Sequence, residues 1–274
     1  MEIDPKITKI MNKNGISLFG VAAYKDCAAA NKRLYEECKD MKSVIIFAVP
    51  YKTENVPDDG YKMSCYARVY DYHGYFARLF DSLIKDFESE FPSNVFRGFA
   101  DHSPINEKQA AANASLGVIG KNTLLITKEY GSFVFLGSVI TDLETESVKN
   151  GIASCLNCGR CAAACPGGAI GENGFDAEKC ISGITQKKSI TDAEKKKIKA
   201  NNAVWGCDVC QNVCPLNKGA LATSEKYFTE SYIKSINYDY IKNMSEEEFA
   251  KYPFSWRKKD VILRNIELCE NHEK

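Results

Sequence analysis

The sequence predicts an α+β chain, with a mixed helix-and-strand body over residues 1–150, a cysteine-rich segment over 151–220 and a polar tail over 221–274. Three observations predict it. The β-branched and aromatic run SVIIFAVPY (43–51) is what a buried strand requires. From Tyr70 to Phe91 the apolar positions Tyr72, Phe76, Leu79, Leu83 and Phe87 recur every three or four residues, the stripe of an amphipathic helix of about five turns. Eight of the twelve cysteines fall between 155 and 214, in two short-spaced runs separated by one more.

The remaining elements follow in order. The start, MEIDPKITKIMNKNG, has no apolar signal core. Residues 27–41 read as helical, Phe96 to Ala100 as a short strand ending at Asp101, and NEKQAAANASL (106–116) as a second helix. TLLIT (123–127) and SFVFLGSVIT (132–141), separated by KEYG, predict an antiparallel hairpin. The tail is rich in tyrosine and is expected to wrap back onto the body.

Hydrophobic residues at 45% and charged residues at 26% are ordinary for a globular protein. No apolar stretch approaches the roughly 20 residues needed to span a membrane, so no membrane partner is expected. The formal net charge is zero, which argues against the whole molecule being a nucleic-acid binder. Residues 179–218 depart from this balance, with eight Lys against three acidic residues and a block at Lys195, Lys196, Lys197 and Lys199. Such a block is either a solvated helix face or a contact for an anionic partner, such as RNA phosphate or a negatively charged electron donor.

The cysteines carry the chemistry. Cys155-x2-Cys158-x2-Cys161-x3-Cys165-Pro166 has the bacterial ferredoxin spacing, in which three close thiolates hold one cubane and the fourth reaches the other. Cys207-x2-Cys210-x3-Cys214-Pro215 has three cysteines where four are needed, and Cys180 supplies the missing one. Two [4Fe–4S] clusters follow: Cys155, Cys158, Cys161 and Cys214 for the first, Cys165, Cys180, Cys207 and Cys210 for the second. Zinc does not need the third CxxC step or the Cys-Pro endings, and a disulfide framework belongs to small secreted chains. So many thiolate ligands call for a reducing compartment, which makes the cytoplasm the expected location. Cys27, Cys38, Cys65 and Cys269 lie outside the pattern and read as small buried hydrophobes.

Two other motifs resist a functional reading. Gly117–Thr123 echoes a phosphate loop, but Ser115 stands where its first glycine belongs and Asn122 where its Ser or Thr belongs. His73 is either a second acid or substrate contact, or a packed or capping residue at a helix start.

The order of motifs resembles the epoxyqueuosine reductase family, cobalamin-dependent iron–sulfur enzymes of tRNA queuosine synthesis related to reductive dehalogenases. The matching segments are SVIIFAVPY, YARVYDYH (66–73), ADHSPINEK (100–108), LGVIGKNTLLI (116–126), GSFVFLG (131–137), CLNCGRCAAACPGGAI (155–170), CISGIT (180–185) and WGCDVCQNVCPLN (205–217). LRN (263–265) matches the point where longer members begin helical repeats that help to hold the tRNA. This sequence ends at Lys274, so the resemblance implies a short form without those repeats.

The resemblance implies a nitroreductase-like mixed α/β cobalamin-binding domain followed by a ferredoxin-like double-cluster domain. It implies electrons delivered by a low-potential ferredoxin- or flavodoxin-like donor, passed through the clusters to cobalamin bound base-off beside the first cluster, and an epoxide oxygen removed to leave an alkene. Asp101, the first residue of D-x-x-P-x-x-E, aligns with the family's proton donor; the role asks for partial desolvation that raises its pKa. Read from the residues alone, Asp101 would cap the following helix. By motif position the cobalamin contacts are Arg68, Asp101, Lys121, Leu125, Leu136, Ser182 and Asp208. The D-x-H-x-x-G motif of histidine-on cobalamin proteins is absent, which agrees equally with a corrin lacking a lower histidine and with no corrin at all. Two alternatives stay open: a cobalamin-dependent reductase of another small molecule, for instance a halogenated one, and a two-cluster electron-transfer protein without cobalamin. Against the carrier stands the long N-terminal body, since a pure two-cluster ferredoxin needs only about 60 residues.

Overall fold

The structure, a computed structural model, describes residues 3–146 and 154–270. The chain divides into two units: Met1–Pro50, Tyr72–Gly120 and Leu124–Leu156 form the first, Tyr51–Asp71, Lys121–Thr123 and Asn157–Lys274 the second. The expected boundary at 150–151 lies outside the described residues.

The first unit is built on a four-stranded antiparallel sheet in the order Phe19–Ala23, Ser43–Pro50, Val134–Thr141, Phe96–Phe99. Ser43–Pro50 is the SVIIFAVP run, paired along both edges and buried from Ser43 to Val49. Alternate side chains leave a strand on opposite faces. Phe47 therefore meets the long helix Tyr72–Glu90, with ring centroids 5.9 Å from Phe76 and 6.1 Å from Phe80. Val44, Ile46 and Ala48 turn the other way, into a cluster with Ala110, Ala111 and Leu125. The long helix buries Phe76, Leu83 and Phe87 at the predicted spacing, each contributing about 1.5–3 kcal/mol. A second helix, Glu107–Asn113, starts at Asn106, whose side-chain oxygen accepts the backbone N–H of Gln109 at 3.1 Å.

Two expectations fail here. The helix expected over 27–41 shrinks to Lys32–Glu37, with Asn31 as its cap. The hairpin of TLLIT with SFVFLGSVIT does not form. Val134–Thr141 pairs along its whole length with Ser43–Pro50, and over Ser138–Thr141 also with Phe96–Phe99. Leu125–Thr127 pairs instead with Gly117–Ile119 in a separate two-stranded ribbon. KEYG is a turn closed by Thr127, whose N–H and hydroxyl both donate to the Gly131 carbonyl, at 2.8 and 3.0 Å.

The second unit has its own core. The short strand Ala203–Trp205 runs parallel to Lys62–Met63, and a fully buried Trp205 packs with Phe254. The helix Lys259–Glu270 closes this core with Ile262 and Ile266, and the tail adds Ile233, Ile236, Ile241 and Tyr252. Asn265, buried and satisfied, donates to the carbonyls of Thr185 at 2.7 Å and Val204 at 2.9 Å. The Lys block lies on the helix Asp192–Asn201, which begins in a Thr191–Glu194 capping box and buries Ile198; Lys195 pairs with Asp192 at 2.9 Å.

The sheet and the long helix touch through a glycine. A Cβ on Gly137 would lie 2.4 Å from Phe76 Cε1 and 2.7 Å from Phe47 Cζ. Gly137→Ala is therefore expected to overpack this contact and lower stability by about 1–3 kcal/mol in denaturant unfolding. A neutral result would mean the helix rides further from the sheet than described.

Candidate functional site

In the first unit, Asp101 follows the edge strand Phe96–Phe99 and sits in the left-handed region at φ 64°. The His102 N–H donates to the Ala100 carbonyl at 2.7 Å across it, closing a γ-turn. This turn aims the carboxylate at the first turn of the long helix. The Tyr72 hydroxyl donates to Asp101 Oδ2, and His73 Nε2 lies 3.7 Å from the same oxygen. Tyr72 is itself stacked between Phe135, at 4.3 Å, and His73, at 4.2 Å. Asp101 does not cap the next helix; Asn106 does. Nor does the expected desolvation fall on Asp101, whose side chain is 67% exposed.

The desolvated acid is the other end of the D-x-x-P-x-x-E motif. Glu107 Oε2 accepts the Asp101 backbone N–H at 3.1 Å, while Oε1 is buried without a hydrogen-bond partner. Burial pushes its pKa up to about 8, against the lowering effect of the Asp101 N–H and with a smaller push from the Asp101 charge. Tyr72 and Glu107 were not singled out from the sequence. Both stand inside motifs that were, DYH and D-x-x-P-x-x-E, and only tertiary contacts separate them from ordinary helix-start residues.

In the second unit, four of the predicted ligands lie within electrostatic reach of one another. Burial raises the Cys207 thiol, and the charges of Asp208, Cys180 and Cys165 raise it further. Burial pushes Cys210 up to about 12, reinforced first by Cys207, then Cys180, Asp208 and Cys165. Four thiols whose ionised forms repel one another suit a cationic metal cluster, because a coordinating thiol is deprotonated by the metal itself. Cys165 Sγ accepts the Ala169 N–H at 3.2 Å, the kind of N–H···S contact that tunes iron–sulfur clusters. Among the described residues no three His, Cys, Asp or Glu side chains converge to hold a single ion; cubane ligands surround a cluster instead. Cys158, Cys161 and Cys214 also belong to this unit, and Cys155 falls in the first.

The predicted cobalamin contacts divide in the same way. Asp101, Leu125 and Leu136 belong to the first unit; Arg68, Lys121, Ser182 and Asp208 to the second. Leu125 is buried and Leu136 half-buried against the same core cluster. Lys121 is exposed, and Ser182 is half-buried at the start of the helix Ile181–Thr185. Arg68 is buried in the second unit. Its guanidinium is 1% exposed and engaged by both Asp59 oxygens, at 2.9 and 3.0 Å, and by the carbonyls of Ile233 and Lys234. Asp208 is similarly taken up, accepting the Ser64 hydroxyl at 2.5 Å, the Cys65 N–H at 2.7 Å and the Gln211 amide at 2.9 Å.

Glu107 makes stability depend on pH with a definite sign. Above pH 4.5 the unfolded chain releases a proton that the folded chain keeps, so stability falls as pH rises until the buried acid ionises near pH 8. Glu107→Gln removes this loss, and its advantage over the wild type is expected to grow across that window to a few kcal/mol, at most about 4. Denaturant melts at pH 5 and pH 8 check it; parallel pH profiles for the two proteins would show that Glu107 titrates normally.

Residues 154–217 match the 4Fe-4S double cluster binding domain family, and residues 32–102 match the family described as epoxyqueuosine reductase QueG, DUF1730. An epoxyqueuosine reductase of Cyclobacterium marinum is 32% identical over 97% of this chain and 88% of its own length. The structure of the Streptococcus thermophilus epoxyqueuosine reductase superposes with a TM-score of 0.83 at 28% identity, over 98% of this chain and 81% of that one. An epoxyqueuosine reductase crystallised with an epoxyqueuosine-modified tRNA-Tyr stem loop superposes with a TM-score of 0.82 at 26% identity, over 97% of this chain and 80% of that one. Both the double-cluster domain and the mixed α/β body are thus shared in sequence and fold, and the chain belongs to the epoxyqueuosine reductase family of iron–sulfur oxidoreductases.

Proposed function

We propose that this protein reduces epoxyqueuosine to queuosine in tRNA. The observation that carries the reading is the Asp101 turn, which presents a carboxyl beside Tyr72 and His73 in a chain that also bears a double [4Fe–4S] domain. The relative bound to a modified tRNA stem loop supports tRNA as the substrate. Converting an epoxide to an alkene breaks two C–O bonds and consumes two electrons and two protons, the oxygen leaving as water.

Asp101 is the proton donor in this reading. Its exposed carboxyl reaches a departing oxygen, and the Tyr72 hydroxyl and His73 ring hold Oδ2 so that the other oxygen faces the substrate. His73 and Tyr72 are themselves placed to return a proton to Asp101 after transfer.

The clusters, when present, supply electrons singly at low potential. Cys155, Cys158, Cys161 and Cys214 hold the first; Cys165, Cys180, Cys207 and Cys210 hold the second, a grouping supported by the mutual electrostatics of the latter four. Cobalamin, if bound, would supply low-potential reducing equivalents at the epoxide. Lys121 and Ser182 offer polar groups for the corrin's amides or its phosphate, and Leu125 and Leu136 offer apolar or backbone contacts. The electron source is a low-potential ferredoxin- or flavodoxin-like protein. No helix among the described residues is long and apolar enough to cross a membrane, and the thiolate ligands suit the reducing cytoplasm.

Anaerobically reconstituted protein is expected to carry about eight irons per chain and, with cobalamin and a chemical reductant, to deoxygenate epoxyqueuosine in an anticodon stem loop. Asp101→Asn should lower turnover by about 10²–10⁴-fold, the usual contribution of a positioned acid, without loss of iron. Full activity in that variant would remove Asp101 from the mechanism; about four irons per chain would remove the two-cluster assignment.

A further inference from the structure

Asp101 stands where a non-glycine residue resists standing. Its φ of 64° lies in the left-handed region, at the centre of a γ-turn of the strained kind. Its side chain is 67% exposed, so packing does not hold the turn in place. Three polar contacts remain: the Tyr72 hydroxyl and the His73 ring on the carboxylate, and Glu107 on the backbone N–H. Besides the turn's own bond from the His102 N–H to the Ala100 carbonyl, only the last acts on the main chain at Asp101, which is where the strain lies.

Glu107 is well founded for that task. It opens the helix Glu107–Asn113, whose backbone is set by the Asn106 cap and by Ala110 and Ala111, both fully buried. An acid in a first helical turn commonly serves the helix dipole, and an exposed carboxylate does so without cost. Glu107 instead leaves Oε1 buried and unpartnered, a penalty the helix alone does not require. What the buried position provides is reach to the Asp101 N–H.

We propose that Glu107 is a positioning residue, whose carboxyl clamps the backbone of the Asp101 turn and so aims the Asp101 carboxyl at the substrate. The proposal rests on the reading of Asp101 as proton donor, while the clamp itself is a statement about the first unit's main chain. A hydrogen-bond acceptor is the requirement, not an ionisable group. Glu107→Gln keeps an acceptor oxygen in place, Glu107→Leu keeps bulk without an acceptor, and Glu107→Ala removes both.

The test is amide hydrogen exchange over residues 99–103 in the full chain, measured with turnover of the stem loop. Glu107→Leu and Glu107→Ala are each expected to speed exchange at the Asp101 amide by about tenfold or more. Both should lower kcat by about tenfold with KM changed less than about twofold, since substrate binding does not depend on the clamp. Glu107→Gln should restore exchange and kcat to within about threefold of the wild type. Unchanged exchange in Glu107→Leu overturns the proposal, because any effect confined to Glu107→Ala is then that of a cavity. A folded Glu107→Gln as impaired as Glu107→Leu also overturns it, by showing that the acid and not the acceptor is needed. If exchange responds as expected while Asp101→Asn turns over normally, the clamp stands and the proton-donor reading falls.

Discussion

The first unit depends on one strand that is paired on both edges and covered on both faces. Ser43–Pro50 lies between Phe19–Ala23 and Val134–Thr141, with the long helix over Phe47 and the Glu107–Asn113 helix beyond Val44, Ile46 and Ala48. A one-residue slip would exchange these two sets of side chains, so burial on both faces fixes the register. That register fixes where Val134–Thr141 lies, and through it the edge strand that delivers Asp101. It also fixes the long helix whose first turn carries Tyr72 and His73. The acid and the groups around it arrive on different elements, yet all of them are referenced to one sheet.

Around that acid, burial and exposure are divided between two carboxyls. The proton-donor role proposed for Asp101 requires a side chain that can be reached from outside, and that of Asp101 is exposed. An exposed residue in a strained turn has little to define its direction. The neighbouring Glu107 supplies definition at the cost of its own hydration, and its raised pKa records that cost.

Features governed by short-range pattern were legible in the sequence. The 43–51 run became the central strand, Phe76, Leu83 and Phe87 became the buried stripe, and the cysteine spacings announced a double-cluster domain. What escaped was decided by competition at a distance. Leu125–Thr127 and Val134–Thr141 look like a hairpin because they are adjacent, but the second strand pairs with residues 43–50 along its length and with 96–99 over residues 138–141. Arg68 was given as a cofactor contact by motif position, and nothing in the sequence shows that its guanidinium is buried against Asp59 and two carbonyls some 165 residues onward. Glu107 looked like an ordinary acid at a helix start. Its burial is a property of the fold, and no local pattern encodes it.

In the second unit the polypeptide itself shapes part of the cysteine segment. Asp208, between two of the predicted ligands, ties the Cys207–Cys210 turn to Ser64 and Cys65 through two hydrogen bonds and is held locally by a third from Gln211. Gly206, at φ 69°, lets that turn approach so closely that a Cβ would stand 2.6 Å from Ser64 Cβ. The 59–68 stretch is in turn anchored by the buried Arg68–Asp59 pair, where removing either partner would strand a charge in the interior. Cys207 and Cys210 are therefore held on a scaffold that runs through Trp205 into the hydrophobic core. That turn therefore takes its position from the polypeptide's own hydrogen bonds and packing, and not from metal ligation alone.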